Sequence, residues 1–398
     1  LSALTAAWVD SRSKVPVPWC HGTAIVPAVR REDEKERHDQ RGQDPLAVQG
    51  PGMRVEQDGG YGTAARDVRG FIDWLLSADT QEQRHVSART LRRRNELGWS
   101  LWPPCPMDGQ VHDVVHLDGI HLGRNAVVLI AWGDGHVLGW YVARRETSAA
   151  WMNLMARIVE PVAVVCDGGG GIRKALRHAW PGTRVQRCLF HICLNIGAIL
   201  GTNPRHEASR QLLRLAKDLA RVHDGDAMAA WLGAYTAWET RHKDFLEQKS
   251  VWADGSENDL HQRLVKARDT MRRRIRERTM FTFMDPELGT ATPVPTTNNA
   301  IESQNARIRA MLRNHRGLCL LRRIKAVCWW CHQHTAHPEN PAWLATHAWR
   351  DEQIEHLYRQ AWERSDEGRQ QVFGVPARYG TGIDWNEFHT NIPWKDTD

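Results

Sequence analysis

The sequence predicts an α/β protein: a five-stranded mixed sheet with helices, interrupted by an all-helical stretch and preceded by a small basic helical segment. Three observations lead to this fold class. The run Pro161-Val162-Ala163-Val164-Val165 is apolar at every position and stops at Cys166-Asp167 and the four glycines Gly168 to Gly171, the pattern of a strand buried on both faces. Three further strand-like runs precede it, Val114 to Asp118, Ala126 to Trp132 and Val137 to Val142. Between residues 197 and 289 the apolar residues recur only at helical spacing.

Residues 1–60 carry Pro, Gly, Gln and the mixed-charge run Arg30 to Arg37 without apolar periodicity, and are expected to form a poorly structured leader. In residues 61–108, Val68, Phe71, Ile72, Leu75 and Leu76 mark one helix, and a break at Ser77 to Thr80 leads to a second, loaded with arginine. Two short helices of this kind resemble a helix-turn-helix, with Arg89, Arg92, Arg93 and Arg94 as candidate DNA contacts.

Residues 109–196 form the first part of the sheet domain. The second run is closed by the turn Gly133-Asp134-Gly135, so the first three strands make a meander. A helix over 148–159 crosses over to the fourth strand, a helix over 172–180 follows it, and Arg184 to His191 reads as a fifth strand. Residues 197–289 are helical and too long for a loop, and their last helix bears Arg272 and Arg273. Residues 290–336 return with a helix from Asn299, carrying Arg309 and Arg313, and another from Leu318; residues 337–398 read as a helical, Trp-bearing tail.

Lys and Arg number 53 against 47 acidic residues, a net charge of +6, and the isoelectric point near 9.0 permits a polyanionic partner. The 8 cysteines fall at irregular positions, and neither a signal peptide nor a bilayer-spanning run is evident, so reduced thiols, no membrane and a cytoplasmic, nucleoid-associated setting are expected. Most of the 19 tryptophans should pack cores.

Three carboxylates fall at matching places: Asp118 at the end of the first strand, Asp167 at the end of the fourth, and Glu302 in the first turn of the helix after the all-helical stretch. If strands one and four are neighbours, both aspartates leave the same edge and the later helix can bring Glu302 beside them. Three such carboxylates repel one another unless cations intervene, and Mg²⁺, with its preference for hard oxygen ligands, suits them. Two such ions support in-line phosphoryl displacement. Each residue also has an ordinary reading: Asp118-Gly119 as a turn, Asp167 as a helix cap, and Asn299 to Glu302 as a capping box. The glycine run lacks the G-x-x-x-x-G-K-[ST] spacing of a nucleotide loop and begins with a carboxylate, which disfavours that rival. Cys328, Cys331 and His332 resemble a metal clip but lie in an apolar helix, where core packing is expected.

Leu117-Asp118-Gly119, Val165-Cys166-Asp167-Gly168, Cys188-Leu189-Phe190-His191 and Thr297 to Glu302, with a helical stretch before the last, together resemble the DDE transposases of bacterial insertion sequences in the Mutator-like group. The resemblance covers roughly residues 61–336. It implies an RNase H-like core with an all-helical insertion, a metal-binding catalytic triad of Asp118, Asp167 and Glu302, and a signature pair of Cys188 and His191. Two Mg²⁺ ions, with Mn²⁺ able to substitute, would serve strand cleavage and strand transfer, and the partners would be double-stranded DNA at the element ends and target and further copies of the chain. Relatives often carry a cysteine-paired zinc module near the N-terminus, where this sequence has only Cys20 and His21, so a truncated chain or an unrelated leader is expected. An inactive DNA-binding descendant and a nuclease without strand transfer are the alternatives.

Overall fold

The computed structural model describes residues 58–78, 86–251 and 254–354, with 356, 378–379 and 383–384. Residues 1–57 of the expected leader, with Cys20 and His21, and most of the expected tail lie outside these residues, while residues 58–60 already belong to the first helix.

Five strands form the central sheet: β2 (Val114–Leu122), β3 (Ala126–Gly133), β4 (His136–Ala143), β5 (Ala163–Cys166) and β6 (Arg184–Arg187), in the order β4-β3-β2-β5-β6. The first three are antiparallel, β5 lies parallel to β2 and β6 parallel to β5, so the expected mixed sheet is present. The β3–β4 turn uses Asp134 and Gly135, both at positive φ (49° and 83°), the geometry whose twist suits a tight hairpin. A two-residue strand, β1 (Leu101–Trp102), pairs with β9 (Trp349–Arg350) away from this sheet.

Alternation along β2 assigns its two faces. Val115 and Leu117 pack with α3 (Ser148–Met155) and α4 (Gly170–Ala179), alongside Trp151, Leu154, Ile172 and Leu176. Ile120 and Leu122 enter a second core with α10 (Asn299–Asn314) and α11 (Leu320–Gln333), through Ile301, Ile308, Ile324 and Trp329. That core also takes α1 (Asp58–Leu76), whose Val68, Phe71, Ile72 and Leu75 are all buried, and Trp99 of α2 (Ala88–Ser100). The two N-terminal helices therefore share the core on the α10 and α11 side of the sheet, and Arg89, Arg92, Arg93 and Arg94 of α2 are exposed. Gly98 of α2 lies so close to the Phe71 ring that any Cβ there would overlap it. Cys328, Cys331 and His332 are buried in this core, as expected of packing residues, and burial lowers the His332 pKa to about 4.

Between β6 and α10 run α5 (Leu189–Leu200), α6 (Glu207–Asp218), α7 (Gly225–Arg241), the short α8 (Lys243–Leu246) and α9 (Gln262–Arg276), with a core of their own around Ile196, Leu212, Trp231, Trp238 and Met271. A small hairpin, β7 (Lys249–Val251) with β8 (Glu257–Asp259), interrupts a segment expected to be wholly helical.

Two expectations about strand ends are corrected. β2 continues four residues past Asp118 to Leu122, because β3 accompanies it to the pair Leu122↔Ala126, so Asp118 and Gly119 are strand residues. β6 ends at Arg187, and Leu189, Ile192, Ile196 and Leu200 recur at helical spacing and are buried, which puts His191 on α5. No described helix is long and apolar enough to cross a membrane.

Candidate active site

The site is built around the point where β5 stops beside β2. Their last parallel pair is Leu117↔Cys166, so Asp118 and Asp167, the next residues on each strand, emerge side by side at one edge. Gly119 N–H donates to Asp118 Oδ1 at 2.9 Å and Asn305 Nδ2 donates to Oδ2 at 2.8 Å. Burial pushes the Asp118 carboxyl above its usual range and the Asp167 charge adds to this, while the Gly119 and Asn305 hydrogen bonds oppose it. Asp167 Oδ1 accepts from Gly169 N at 3.0 Å, holding the carboxylate in a local turn. It does not cap α4, which begins at Gly170 with Gly169 as its N-cap and no side-chain cap bond.

The glycines after Asp167 have two distinct tasks. Gly168 sits at φ +69°, and the space its side chain would fill is taken by the Arg187 guanidinium. Arg187 Nη1 donates to Gly168 O at 2.6 Å and is itself buried, so burial lowers its pKa. Gly171 abuts the main chain of Glu146 and Thr147, which no Cβ would permit. The run is thus a packing device between three segments.

Glu302 lies in the first turn of α10 and faces His191, with His191 Nδ1 to Glu302 Oε1 at 3.5 Å. The ligand atoms of Cys188, His191 and Glu302 fall within 4.8 Å of one another. The Cys188 sulfur beside His191 is the main cause that raises the His191 pKa to about 9, against burial, with the charges of Glu302 and Asp167 adding to it. Glu302 Oε1 and Asn305 Oδ1 are buried without a hydrogen-bond partner. The capping-box alternative is not formed: Asn298 is the N-cap, yet its side chain makes no cap bond. Asn298 instead donates from Nδ2 to Leu117 O at 3.1 Å, meets His116 Nδ1 through Oδ1 at 2.9 Å, and its N–H reaches Cys188 Sγ at 3.3 Å. The buried side chain ties the start of α10 to β2, and the main-chain N–H of the same residue ties it to the start of α5.

Sequence reasoning did not single out Asn298, Asn305, Arg187 or Glu146. Asn305 had a visible signal, since it stands three residues after Glu302 and so shares its helix face. Glu146, in the loop between β4 and α3, bonds His121 Nε2 at 2.9 Å.

Of the other predicted residues, Arg309 and Arg313 of α10 line a surface groove of about 860 Å³ with Arg316 and Arg323, over a floor that includes Ile120, Leu312 and Leu321. No carboxylate lines it, and these four arginines make no ion pair among the described residues. Arg272 and Arg273 of α9 are both exposed, and Arg272 is tied to Glu239 at 2.6 Å.

Residues 114–249, which hold the five-stranded sheet and α3 to α8, match the family described as "Transposase, Mutator family". A probable transposase for an insertion sequence element from Corynebacterium diphtheriae is 25% identical over 270 residues, 64% of this chain and 70% of that protein. The IS905 transposase of Lactococcus lactis subsp. lactis is 34% identical over 153 residues, covering 34% of this chain and 38% of the relative. The IS406 transposase of Burkholderia multivorans is 30% identical over 135 residues, 32% and 33% of the two chains. The resemblance to bacterial insertion-sequence transposases of the Mutator group is borne out by these matches.

Proposed function

We propose that the chain is a DDE transposase with an RNase H-like core, in which α5 to α9 form a helical insertion and Asp118, Asp167 and Glu302 are the catalytic, metal-binding carboxylates. The observation that carries this reading is the parallel register Leu117↔Cys166, which brings Asp118 and Asp167 side by side where both are half-buried. Burying two adjacent carboxylates is unfavourable without a cation.

Asp118, Asp167 and Glu302 offer the hard oxygen donors that Mg²⁺ prefers, but the compact group of possible ligands among the described residues is Cys188, His191 and Glu302, so Glu302 would have to turn from His191 towards the aspartates to share a cation with them. Bound there as a pair, with Mn²⁺ able to substitute, the ions would supply Lewis-acid activation and stabilise the leaving oxygen. The chain's own side chains do the rest. Asn305 fixes the orientation of Asp118, and Asn298 fixes where α10 begins relative to β2. His191, protonated at neutral pH, stands beside Glu302 ready to meet a phosphate oxygen. Cys188 supports it from the N-cap of α5.

The DNA partner follows from charge. Arg309, Arg313, Arg316 and Arg323 offer a groove that begins on β2 two residues beyond Asp118, at Ile120. Arg89, Arg92, Arg93 and Arg94 of α2 and Arg273 of α9 extend the basic surface, and Arg272 is held back by Glu239. Strand cleavage at the element ends and joining of the freed 3′-hydroxyl to target DNA, by copies of the chain assembled on DNA, is the activity this arrangement supports. Incubation with end-sequence DNA and Mg²⁺ tests it. Cleavage and joining uphold the reading; binding without cleavage favours a DNA-binding descendant, and cleavage without joined products favours a nuclease.

A further inference from the structure

Cys188, His191 and Glu302 come together from two helices that are far apart in sequence. Cys188 is the N-cap of α5 and His191 lies in its first turn, so their side chains meet at the start of that helix. Glu302 is brought to them by the first turn of α10. A sulfur, a ring nitrogen and a carboxylate oxygen thus lie within 4.8 Å of one another, and neither Asp118 nor Asp167 belongs to this group.

The atoms that face each other here are left unsatisfied. His191 Nδ1 and Glu302 Oε1 stand 3.5 Å apart, and both are buried without a hydrogen-bond partner. That separation is long for a charge-assisted hydrogen bond of about 2.7–2.9 Å. It suits two ligands of one tetrahedral cation, because bonds of about 2.0–2.2 Å set neighbouring donors roughly 3.3–3.6 Å apart. Cys188 is fully buried, and Asn298 N–H donates to its sulfur at 3.3 Å, which fixes the sulfur in place as supporting hydrogen bonds do for metal ligands. Sulfur and imidazole nitrogen are donors suited to Zn²⁺, whereas Mg²⁺ prefers oxygen. Three protein donors leave a fourth position for water.

We propose that Cys188, His191 and Glu302 form a three-ligand site for a divalent cation of the Zn²⁺ class, and that a cation held there keeps Glu302 from joining Asp118 and Asp167. The second half rests on the metal-dependent reading above, and the first half does not. Zn²⁺ thereby inhibits the Mg²⁺ reaction by retaining one of its ligands.

The test titrates the full chain with Co²⁺, which occupies Zn²⁺ sites and absorbs light through a thiolate charge-transfer band. The native chain should show that band, and added Zn²⁺ should remove it. Cys188→Ser should abolish it, and His191→Gln and Glu302→Gln should each weaken Co²⁺ by at least about tenfold, the lower end of what removing a group that only supports a metal costs. Cys193→Ser, which changes another thiol of α5, should leave the band as it was. A folded native chain without the band, or a band that survives Cys188→Ser, overturns the site. Circular dichroism checks the fold, and should Cys188→Ser not fold, native Co²⁺ affinity in both His191→Gln and Glu302→Gln overturns it instead. Zn²⁺ should also abolish Mg²⁺-dependent cleavage of end-sequence DNA, over the same concentrations that remove the Co²⁺ band. Undiminished cleavage with the site filled overturns the hold on Glu302. Cleavage by a chain that shows no Co²⁺ band defeats this inference alone, whereas a Co²⁺ band through Cys188 in a chain that never cleaves defeats the metal-dependent reading and keeps the site.

Discussion

The edge around Asp118 and the groove that begins at Ile120 lie on one strand, yet they are built in opposite ways. At the edge, carboxylates are partly buried and each is restrained: Asp118 by Asn305 and Gly119, Asp167 by Gly169, Glu146 by His121. In the groove, four arginines line the walls without a carboxylate partner among the described residues. Burial makes charge interactions strong and salt-insensitive, whereas exposed charges act collectively and are screened beyond about 10 Å at 0.1 M salt. The contrast separates a rigid centre, suited to chemistry, from an adaptable surface, suited to holding a polyanion without reading its sequence.

The sharpest way to break this contrast is Glu302→Gln. Cleavage should fall at least about a hundredfold, the scale of removing one preorganised electrostatic group, while DNA affinity and its salt dependence stay as they were. A change in affinity without a change in rate would place Glu302 in the binding surface instead.

Next in size is the triple change Arg309→Gln, Arg313→Gln and Arg316→Gln. The log–log dependence of DNA affinity on salt should become shallower by about 0.9 for each phosphate that is no longer neutralised, with the cleavage rate at saturating DNA retained. An unchanged slope, measured by fluorescence anisotropy across a salt series, would remove the groove from the DNA-binding surface.

A smaller effect concerns His191, whose folded-state pKa is raised to about 9. A raised pKa means that protonation favours the folded form, so the stability it contributes is complete below about pH 6.5 and is lost as pH rises through about 9. Thermal melts of the native chain and His191→Gln should therefore differ most at pH 6 and converge by about pH 10. Curves that diverge with rising pH would contradict the assignment.

The smallest expected effect is also the most counter-intuitive. The Asp118 carboxyl is raised by burial and by Asp167, so its ionisation at neutral pH costs stability when no cation is bound. Asp118→Asn should raise the metal-free melting temperature by about 1–3 °C, given that about 1 kcal/mol moves a domain of about 150–250 residues by about 2–4 °C. A lowered melting temperature would show that the Asn305 hydrogen bond outweighs the burial cost.

How much of this was legible beforehand differs between the two regions as well. Asp118 and Asp167 could be read because apolar runs stop at them, whereas that their strands are neighbours was only a condition of the reading, which the Leu117↔Cys166 pairing meets. The continuation of β2 past Asp118 was hidden because Gly119 and His121 look like turn residues and only the accompanying β3 keeps them extended. Cys188 to His191 continues the apolar run of the fifth strand, and only the later Ile192, Ile196 and Leu200 reveal the helix. Glu146 carried no signal, since it follows Arg144-Arg145 in a loop and its placement depends on Gly119 and Gly171, which are distant in sequence. The arginines of the groove were legible as charge, but Glu239 pairing with Arg272 was a tertiary fact.

Whether the carboxylate edge performs metal-dependent chemistry on DNA is decided by a supercoiled plasmid carrying the element's ends, the purified full chain and Mg²⁺, with the native protein set against Asp167→Asn. Strand cleavage and joined products are expected for the native chain only in the presence of the ion, and none for Asp167→Asn, with both proteins binding the plasmid equally. Cleavage by Asp167→Asn at the native rate would overturn the assignment of this edge as the catalytic centre.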